Sequence, residues 1–541
     1  MRSALLHAAA TLAIAAPAAA APRTQVSPYI ELDQVAAFNL NNDDAVTWTQ
    51  VAVGVDASVA TQRAQGQASF RYERRIAETD GLGDADVTSG LARVSYRVAR
   101  PLTLEAGALA TRTRVDIRGA APGITDTASG DNVTQVYSLY AGPTLSTQAG
   151  PVALGASYRF GYTKVEAPRS IILQPGAARQ DYFSDSYGNQ ISATAAVAPG
   201  RIAPIGGTVS VGYDREDAGQ LDQRFEAKFA RIDLLAPVTR TIALTAGVGS
   251  EKVEITQRDA AVDAAGTPLV DRNGRFVTDA ASPRRIAYNT DGLIYDAGVV
   301  WHPSTRTRLT ATVAHEYDST SYTGQFDWRV DRGLAFSAAA YDDVETFGRQ
   351  LRLGLQGLPT SFLTQRDSFG QQFNGCVFNA APGAGAQATG GQGAGGCLND
   401  VFQSINTASY RARGIDAVLT AVRGRNRFGV GAGYANRHLF SPRTAPGTIV
   451  YGLDDDSYYL QGFYGRALDR QSSFDANVFA NWYDSALPGA SSVFGAGASG
   501  AYTRSFGRLA TTAQLGVYTF DQQRVDEQWT AQALVGARYH F

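Results

Sequence analysis

The 541-residue chain reads as an all-β protein: a transmembrane, antiparallel, up-and-down β-barrel of about 22 strands with both termini in the periplasm. Three observations predict this. Apolar and polar residues alternate with period two along almost the whole chain, short and long connections alternate between the alternating segments, and the chain ends on an aromatic.

The N-terminus supplies an export signal. Met1 and Arg2 precede an apolar run from Ala4 to Ala15, then Pro17 and the small residues Ala18, Ala19, Ala20 and Ala21, the layout of a cleavable signal peptide over residues 1–20 that leaves 21–541 as the barrel. No lipobox cysteine follows, which disfavours a lipid anchor. Beyond the signal no apolar run reaches roughly 18 residues, which excludes an ordinary transmembrane helix. A net charge of −2 argues against a nucleic-acid surface.

The strands follow in order. Tyr29 to Phe38 opens the series. Thr49 to Val59 sets Val51, Val53 and Val55 against Gln50, Asp56 and Ser58, and Ala64 to Arg75 sets Phe70 and Tyr72 against Gln67, Arg71 and Glu73. Leu91 to Val98, Leu102 to Val115 and Val133 to Ala141 come next. In Val152 to Lys164 the apolar set Val152, Leu154, Ala156, Tyr158, Phe160 and Tyr162 faces lipid, and small or polar residues face the lumen. Gln190 to Val197, Ile205 to Asp214, Phe225 to Leu235, Ile242 to Val253 and Leu293 to Trp301 lead to Thr307 to Tyr317, where Leu309, Ala311 and Val313 alternate with Arg308, Thr310 and Glu316. A helix over that stretch would bury Arg and Glu, so the strand is preferred. Tyr322 to Val330, Leu334 to Tyr341, Ile415 to Val422, Phe428 to Arg437, Tyr458 to Leu468, Phe474 to Tyr483, Phe494 to Tyr502 and Leu509 to Phe520 complete the wall. The last strand, Trp529 to Phe541, turns Tyr539 and Phe541 outward, the C-terminal signature read by barrel-assembly machinery.

The connections test this parity. Short links such as Thr61 to Arg63, Ala99 to Pro101 and Arg423 to Asn426 alternate with long ones at Ala77 to Thr88, Asp116 to Asn132, Val165 to Tyr187, Glu254 to Asp291, 342–413 and Leu439 to Ser457, as periplasmic turns and external loops require. Aromatics at strand ends (Trp48, Tyr162, Trp301, Tyr317, Trp328, Trp482, Tyr483, Tyr518, Phe520 and Trp529) read as girdles at the two lipid interfaces.

Inward positions carry both signs of charge. The candidate lumen-lining residues are Arg71, Glu73, Arg93, Arg159, Arg308, Glu316, Asp327, Arg329, Arg437, Asp475 and Arg538. Pairing with one another is the plainer reading, and setting the field met by a passing solute is the second. The small inward residues Gly212, Gly431 and Gly433 leave room for bulkier neighbours. Cys376 and Cys397 flank a Gly/Ala-rich stretch and read as a disulfide in an oxidising compartment. It closes the 342–413 segment, which either folds into the lumen as a constriction or stands outside as a solvated loop.

Enzymatic chemistry has weak signals. Outside the signal His302, His315, His438 and His540 stand isolated, no G-x-S-x-G elbow occurs, and the acidic turns Asp43–Asp44, Asp84 with Asp86, and Asp454 to Asp456 lack EF-hand spacing. No enzyme, cofactor or resident metal is expected. Siderophore-type energised transport is disfavoured, because no N-terminal plug fits before Tyr29.

Ser27-Pro28-Tyr29-Ile30-Glu31, Val55-Asp56-Ala57-Ser58-Val59 with Phe70-Arg71-Tyr72-Glu73-Arg74-Arg75, Tyr410-Arg411-Ala412-Arg413-Gly414 and Tyr434-Ala435-Asn436-Arg437 resemble a family of sphingomonad-type outer-membrane β-barrels associated with PEP-CTERM sorting and exopolysaccharide systems. The resemblance implies the outer membrane with its lipid, and exopolysaccharide export components as neighbours, while the terminal signature implies the assembly machinery as a partner; the resemblance carries no catalytic motif. The leading expectation is a porin-like channel linked to exopolysaccharide export. The alternatives are a non-conducting structural or assembly barrel and a barrel-borne hydrolase.

Overall fold

The computed structural model describes residues 23–41, 44–79, 83–115, 133–167, 181–331, 333–364, 373, 375–381, 393–403, 405–442, 452–486, 492–522 and 525–541. The expected signal peptide and the Asp116 to Asn132 connection lie outside them.

The strands of the first half are β1 (Arg23–Asn39), β2 (Ala45–Ala60), β3 (Ala64–Ala77), β4 (Ala85–Ala99), β5 (Leu102–Arg114), β6 (Val133–Ala149), β7 (Val152–Val165), β8 (Asp185–Val197), β9 (Gly206–Ala218), β10 (Arg224–Pro237) and β11 (Ile242–Gln257). They continue as β12 (Arg285–Ser304), β13 (Thr307–Glu316), β14 (Ser319–Asp331) and β15 (Leu334–Glu345). Between β15 and the next wall strand lie a helix, α1 (Phe347–Gly357), and a small hairpin of β16 (Cys376–Phe378) and β17 (Gly395–Cys397). The wall resumes with β18 (Ser409–Arg423), β19 (Asn426–Phe440), β20 (Asp454–Ala467), β21 (Ser472–Ser485), β22 (Val493–Phe506), β23 (Leu509–Gln522) and β24 (Val525–His540).

Among the described residues, 22 of these strands form one sheet in which each pairs antiparallel with its neighbours, and β24 closes on β1 from Tyr29↔His540 to Asn39↔Thr530. Closure pairs every ladder edge, the condition for a sheet to cross a bilayer. The side chains obey the pleat. On β1, Val26, Ile30 and Leu32 are exposed on the outside, whereas Tyr29, Glu31, Asp33 and Val35 are buried on the inside. On β24, Trp529, Val535 and Tyr539 face out and Thr530, Gln532, Leu534 and Arg538 are buried inside. An apolar exterior on an edgeless ring makes this an outer-membrane barrel.

Several strands run past the expected limits at their outer ends: β4 starts at Ala85, β8 at Asp185 and β12 at Arg285. These extensions carry polar residues on both faces. Backbone ladder bonds hold them where water, not lipid, meets the wall, so the apolar alternation that marks a spanning segment is missing there. The short turns are tight; Gly424 and Gly507 take φ of 59° and 68° at the β18–β19 and β22–β23 turns, values glycine adopts without strain.

The girdle assignment needs correcting. Trp301, Trp328, Trp482 and Trp529 are exposed on the outside, but Trp48 and Tyr483 are buried within the ring and Tyr518 packs with Trp48, Val35 and Leu534. Phe520 is likewise buried. Tyr317 lies in the β13–β14 turn at φ 52°, with Arg411 over its ring at 5.2 Å. Nearness to a strand end fixes depth in the membrane, while side-chain parity fixes the face, and a one-residue step reverses it.

Candidate functional site: a lumenal insert and its seat

Thr346 begins α1 by accepting a hydrogen bond from the Arg349 N–H, and Phe347, Leu351, Leu355 and Leu358 then recur on one face of the helix. That face is buried against Leu91, Leu109, Val136, Tyr140 and Val165 of β4 to β7, and against Val401, Phe402 and Ile405 of the returning chain. Burial of each large side chain contributes about 1.5–3 kcal/mol. The apolar inner wall of β4 to β7 is thus covered by α1 and the other described residues between β15 and β18, which lie inside the ring.

Polar anchors surround this core. On β9, Asp214 accepts from Arg349 at 2.8 Å, and Glu216 pairs with Arg352 and accepts from the Thr346 hydroxyl at 2.7 Å. Each of these charges is buried, so each needs its counter-ion in place. On β4, Arg93 donates to the carbonyls of Leu358 at 3.0 Å and Gln356 at 2.9 Å, satisfying the last carbonyls of the helix with a cation where the helix dipole favours one. Gln67 of β3 receives the Phe362 N–H at 2.9 Å.

The hairpin is seated on the opposite side. Cys376 and Cys397 are directly opposed and joined by the disulfide. Their sulfurs lie where a side chain on Gly431 would be, and the Phe378 ring covers Gly429 and meets Phe463 at 5.6 Å. Only a side-chain-free pair of positions on β19 admits the hairpin this closely. Gln461 accepts from the Cys376 N–H at 2.7 Å, and Thr420 donates to the Ala394 carbonyl at 2.6 Å. The insert therefore bridges from β3 and β4 on one side to β18, β19 and β20 on the other.

The remaining inward residues fall into separate groups. Arg71 joins Glu31 at 2.9 Å, Glu73 at 3.0 Å and Asp33 at 3.3 Å; Glu73 also holds Arg75 at 2.6 Å, and Arg538 pairs with Glu31 while lying over the Tyr29 ring. Arg71, Glu73 and Arg538 thus meet in one buried cluster across the β24–β1 seam. Arg159 pairs with Glu105, and Asp475 with Arg427 at 2.8 Å. Arg308 stands opposite Asp327, which accepts from Ser337 at 2.8 Å. Glu316 accepts from Ser321, and Arg329 donates to the Thr305 carbonyl at the exposed turn end of its strand. Arg437 lies over Tyr410 at 4.7 Å and donates to Gln350 of α1 at 3.3 Å. Of the eleven candidates, Arg93 and Arg437 reach the insert with hydrogen bonds.

Above the wall, external loops meet the insert at Asp181. Its Oδ1 accepts from the Phe276 N–H at 2.9 Å and from Gln220 at 2.8 Å, its carbonyl accepts from the Thr407 N–H at 3.0 Å, and burial pushes its carboxyl up to about 7. Arg275 beside it donates to the carbonyls of Val165 and Phe183, and burial lowers its pKa. Within the insert Asp400 accepts from Gln350 at 2.8 Å, and burial raises its carboxyl above the ordinary range.

Sequence reading missed Asp214, Glu216, Arg349 and Arg352. The signal that was available is the i, i+4, i+8 spacing of Phe347, Leu351 and Leu355 after Thr346, which marks an amphipathic helix inside the longest connection. Two of the acidic turns are occupied by protein partners: Asp84 and Asp86 pair with Arg74, Asp454 with His438, and Asp456 accepts from Tyr434; Asp43 of the third lies outside the described residues. His315 stacks on Tyr295 at 5.2 Å. Among the described residues no group of His, Cys, Asp or Glu has the geometry to hold a metal ion.

No protein-family model matches the chain, and no curated protein is similar to it. Among solved structures it is similar to the FrpB iron transporter from Neisseria meningitidis, at 9% identity, a TM-score of 0.43, and coverage of 95% of this chain and 82% of that one. It is also similar to the ferric-catecholate import receptor Fiu from E. coli (10%, 0.42, 94% and 81%) and the siderophore receptor PirA from Acinetobacter baumannii (9%, 0.39, 95% and 80%).

Proposed function

We propose that the protein is a gated outer-membrane conduit whose lumen is occupied by its own insert, and that it serves export of extracellular polysaccharide. The observation that carries the gate is the seat itself: α1 and the β16–β17 hairpin bury an apolar core inside the ring and are tethered to opposite walls through Arg93 and Gln461. A ring of this size encloses a lumen too wide for wall side chains alone, and an insert tethered at both ends can fill it without leaving the protein. The polysaccharide assignment rests on the family resemblance of the Tyr410–Gly414 and Tyr434–Arg437 segments.

Planar-bilayer recording tests the reading. Deleting 358–407 is expected to convert a weakly conducting barrel into one with large, steady conductance, with heat-modifiable gel mobility verifying that the variant folds. A folded deletion variant that conducts no more than the intact protein overturns it.

The buried seam cluster of Arg71, Glu73, Arg538, Glu31 and Asp33 favours a second reading, a non-conducting scaffold, because ions locked in mutual pairs offer nothing to a passing solute. In that case the deletion leaves conductance unchanged.

A further inference from the structure

One part of the inner wall differs in chemistry from the rest. The inward positions of β21 beyond Asp475 are Asn477, Phe479, Asn481 and Tyr483, and those of β22 and β23 contain no charged residue. Elsewhere the inner wall carries ion pairs, from the β24–β1 seam through β5 and β7 to β9, β10 and β12. Charges stand at the ends of this stretch: Asp475, paired with Arg427 at 2.8 Å, and Arg114, over the Phe520 ring at 4.7 Å.

Register places Phe479, Gly497 and Tyr518 side by side in one row across β21, β22 and β23, next to Gln461 of β20. With no side chain on Gly497, the two rings approach over it to 6.1 Å. Phe479 remains 37% exposed although it points into the ring, so an aromatic surface is bared to the lumen rather than to lipid. Asn477 and Asn481 lie one pleat below and above it on the same face, and the carboxamide oxygen of each is buried and accepts no hydrogen bond among the described residues. A buried acceptor left unsatisfied is costly, and turning the carboxamide toward the lumen to meet a hydroxyl donor relieves it.

We propose that this row is a binding track for uncharged, polyhydroxylated chains of the oligosaccharide class. The inference deepens the conduit reading and rests on it for its biological meaning. The chemistry selects the class: a ring face takes the C–H side of a pyranose, the half-buried amides of Asn477 and Asn481 flank it and turn to exchange hydrogen bonds with hydroxyls, and the lack of charge removes any reason to prefer an ionic ligand. The track borders the insert, since Gln461 in the same row is held by the Cys376 N–H, so the ligand runs beside the hairpin rather than through the ion-paired wall.

Calorimetric titration of the full chain in detergent with maltohexaose tests the track without requiring a current. Maltohexaose is expected to bind, and a hexamer of galacturonic acid to bind more weakly. Phe479→Ala should lower maltohexaose affinity about fivefold or more, Asn481→Ala should lower it less, and Phe479→Trp should retain it. Heat-modifiable mobility reports folding of each variant, and the Trp and Asn481 variants decide the matter if the Ala variant does not assemble. Absence of maltohexaose binding, or equal binding by Phe479→Ala, overturns the track whatever the bilayer recordings give; binding by a protein that never conducts upholds the track and overturns the conduit.

Discussion

Arg93 on β4 donates from Nε to the carbonyl of Leu358 at 3.0 Å, joining a residue of the barrel wall to one 265 positions later in the insert. A second bond from its guanidinium reaches Gln356 at 2.9 Å. Replacing Arg93 with Ala leaves both buried carbonyls without a donor and removes the cation from the end of α1. The docked helix should lose about 1.5–3 kcal/mol, the usual worth of a hydrogen bond to a charged group. Hydrogen exchange is the measurement: amides of α1 should exchange faster while those of β4 and β5 stay protected.

The Asp214–Arg349 pair should behave as a buried ion pair. Asp214→Ala strands the Arg349 guanidinium, which also pairs with Glu345, and should loosen the helix by about 3–5 kcal/mol. The triple variant Asp214→Leu, Arg349→Met and Glu345→Gln should recover most of that loss, because it removes all three desolvated charges. Limited proteolysis of the insert in the three proteins checks the order.

Asp181 predicts a pH response in the external loops. Its folded pKa of about 7 lies above the ordinary carboxyl value, so the folded junction binds more protons than the open one between about pH 4 and pH 7. The stability it contributes is complete below that window and is lost as pH rises through 7. Asp181→Asn keeps an acceptor for the Phe276 N–H and removes the titration. Exchange protection of the Phe276 amide, corrected for intrinsic rate, should fall from pH 5 to pH 8 in the native protein and stay level in the variant.

The C-terminal strand makes the fourth prediction. Phe541 donates its N–H to the Pro28 carbonyl at 3.1 Å, and its ring meets that of Tyr539 at 5.4 Å on the lipid face. Deleting Phe541 should lower the amount of heat-modifiable barrel in outer-membrane fractions without changing the mobility of the barrels that do assemble. Unchanged amounts would assign the ring pair to lipid anchoring alone.

The barrel was legible in the sequence because a bilayer imposes one rule on every spanning strand: lipid on one side, a different environment on the other, and no unpaired backbone. Val51, Val53 and Val55 declare their face without reference to any other strand, and the closing strand declares its own in Tyr539 and Phe541. Twenty-two alternating segments with alternating connection lengths leave one topology. The pairing of inward charges was legible as a tendency, since arginines and carboxylates on facing positions of neighbouring strands have few other partners.

What each residue touches was decided by tertiary structure. Trp48, Tyr483 and Phe520 sit at strand ends like girdle aromatics, yet register turns them inward. Arg93 looked like any other lumenal arginine until α1 was placed beneath it. The seat of the insert joins residues far apart in the chain, Gln67 with Phe362 and Gly431 with Cys376 and Cys397, through contacts that carry no local periodicity. Period-two patterning records which side of a wall a side chain faces; what occupies the space on that side depends on how the longest connection folds back, and only packing of the whole ring around it settles that.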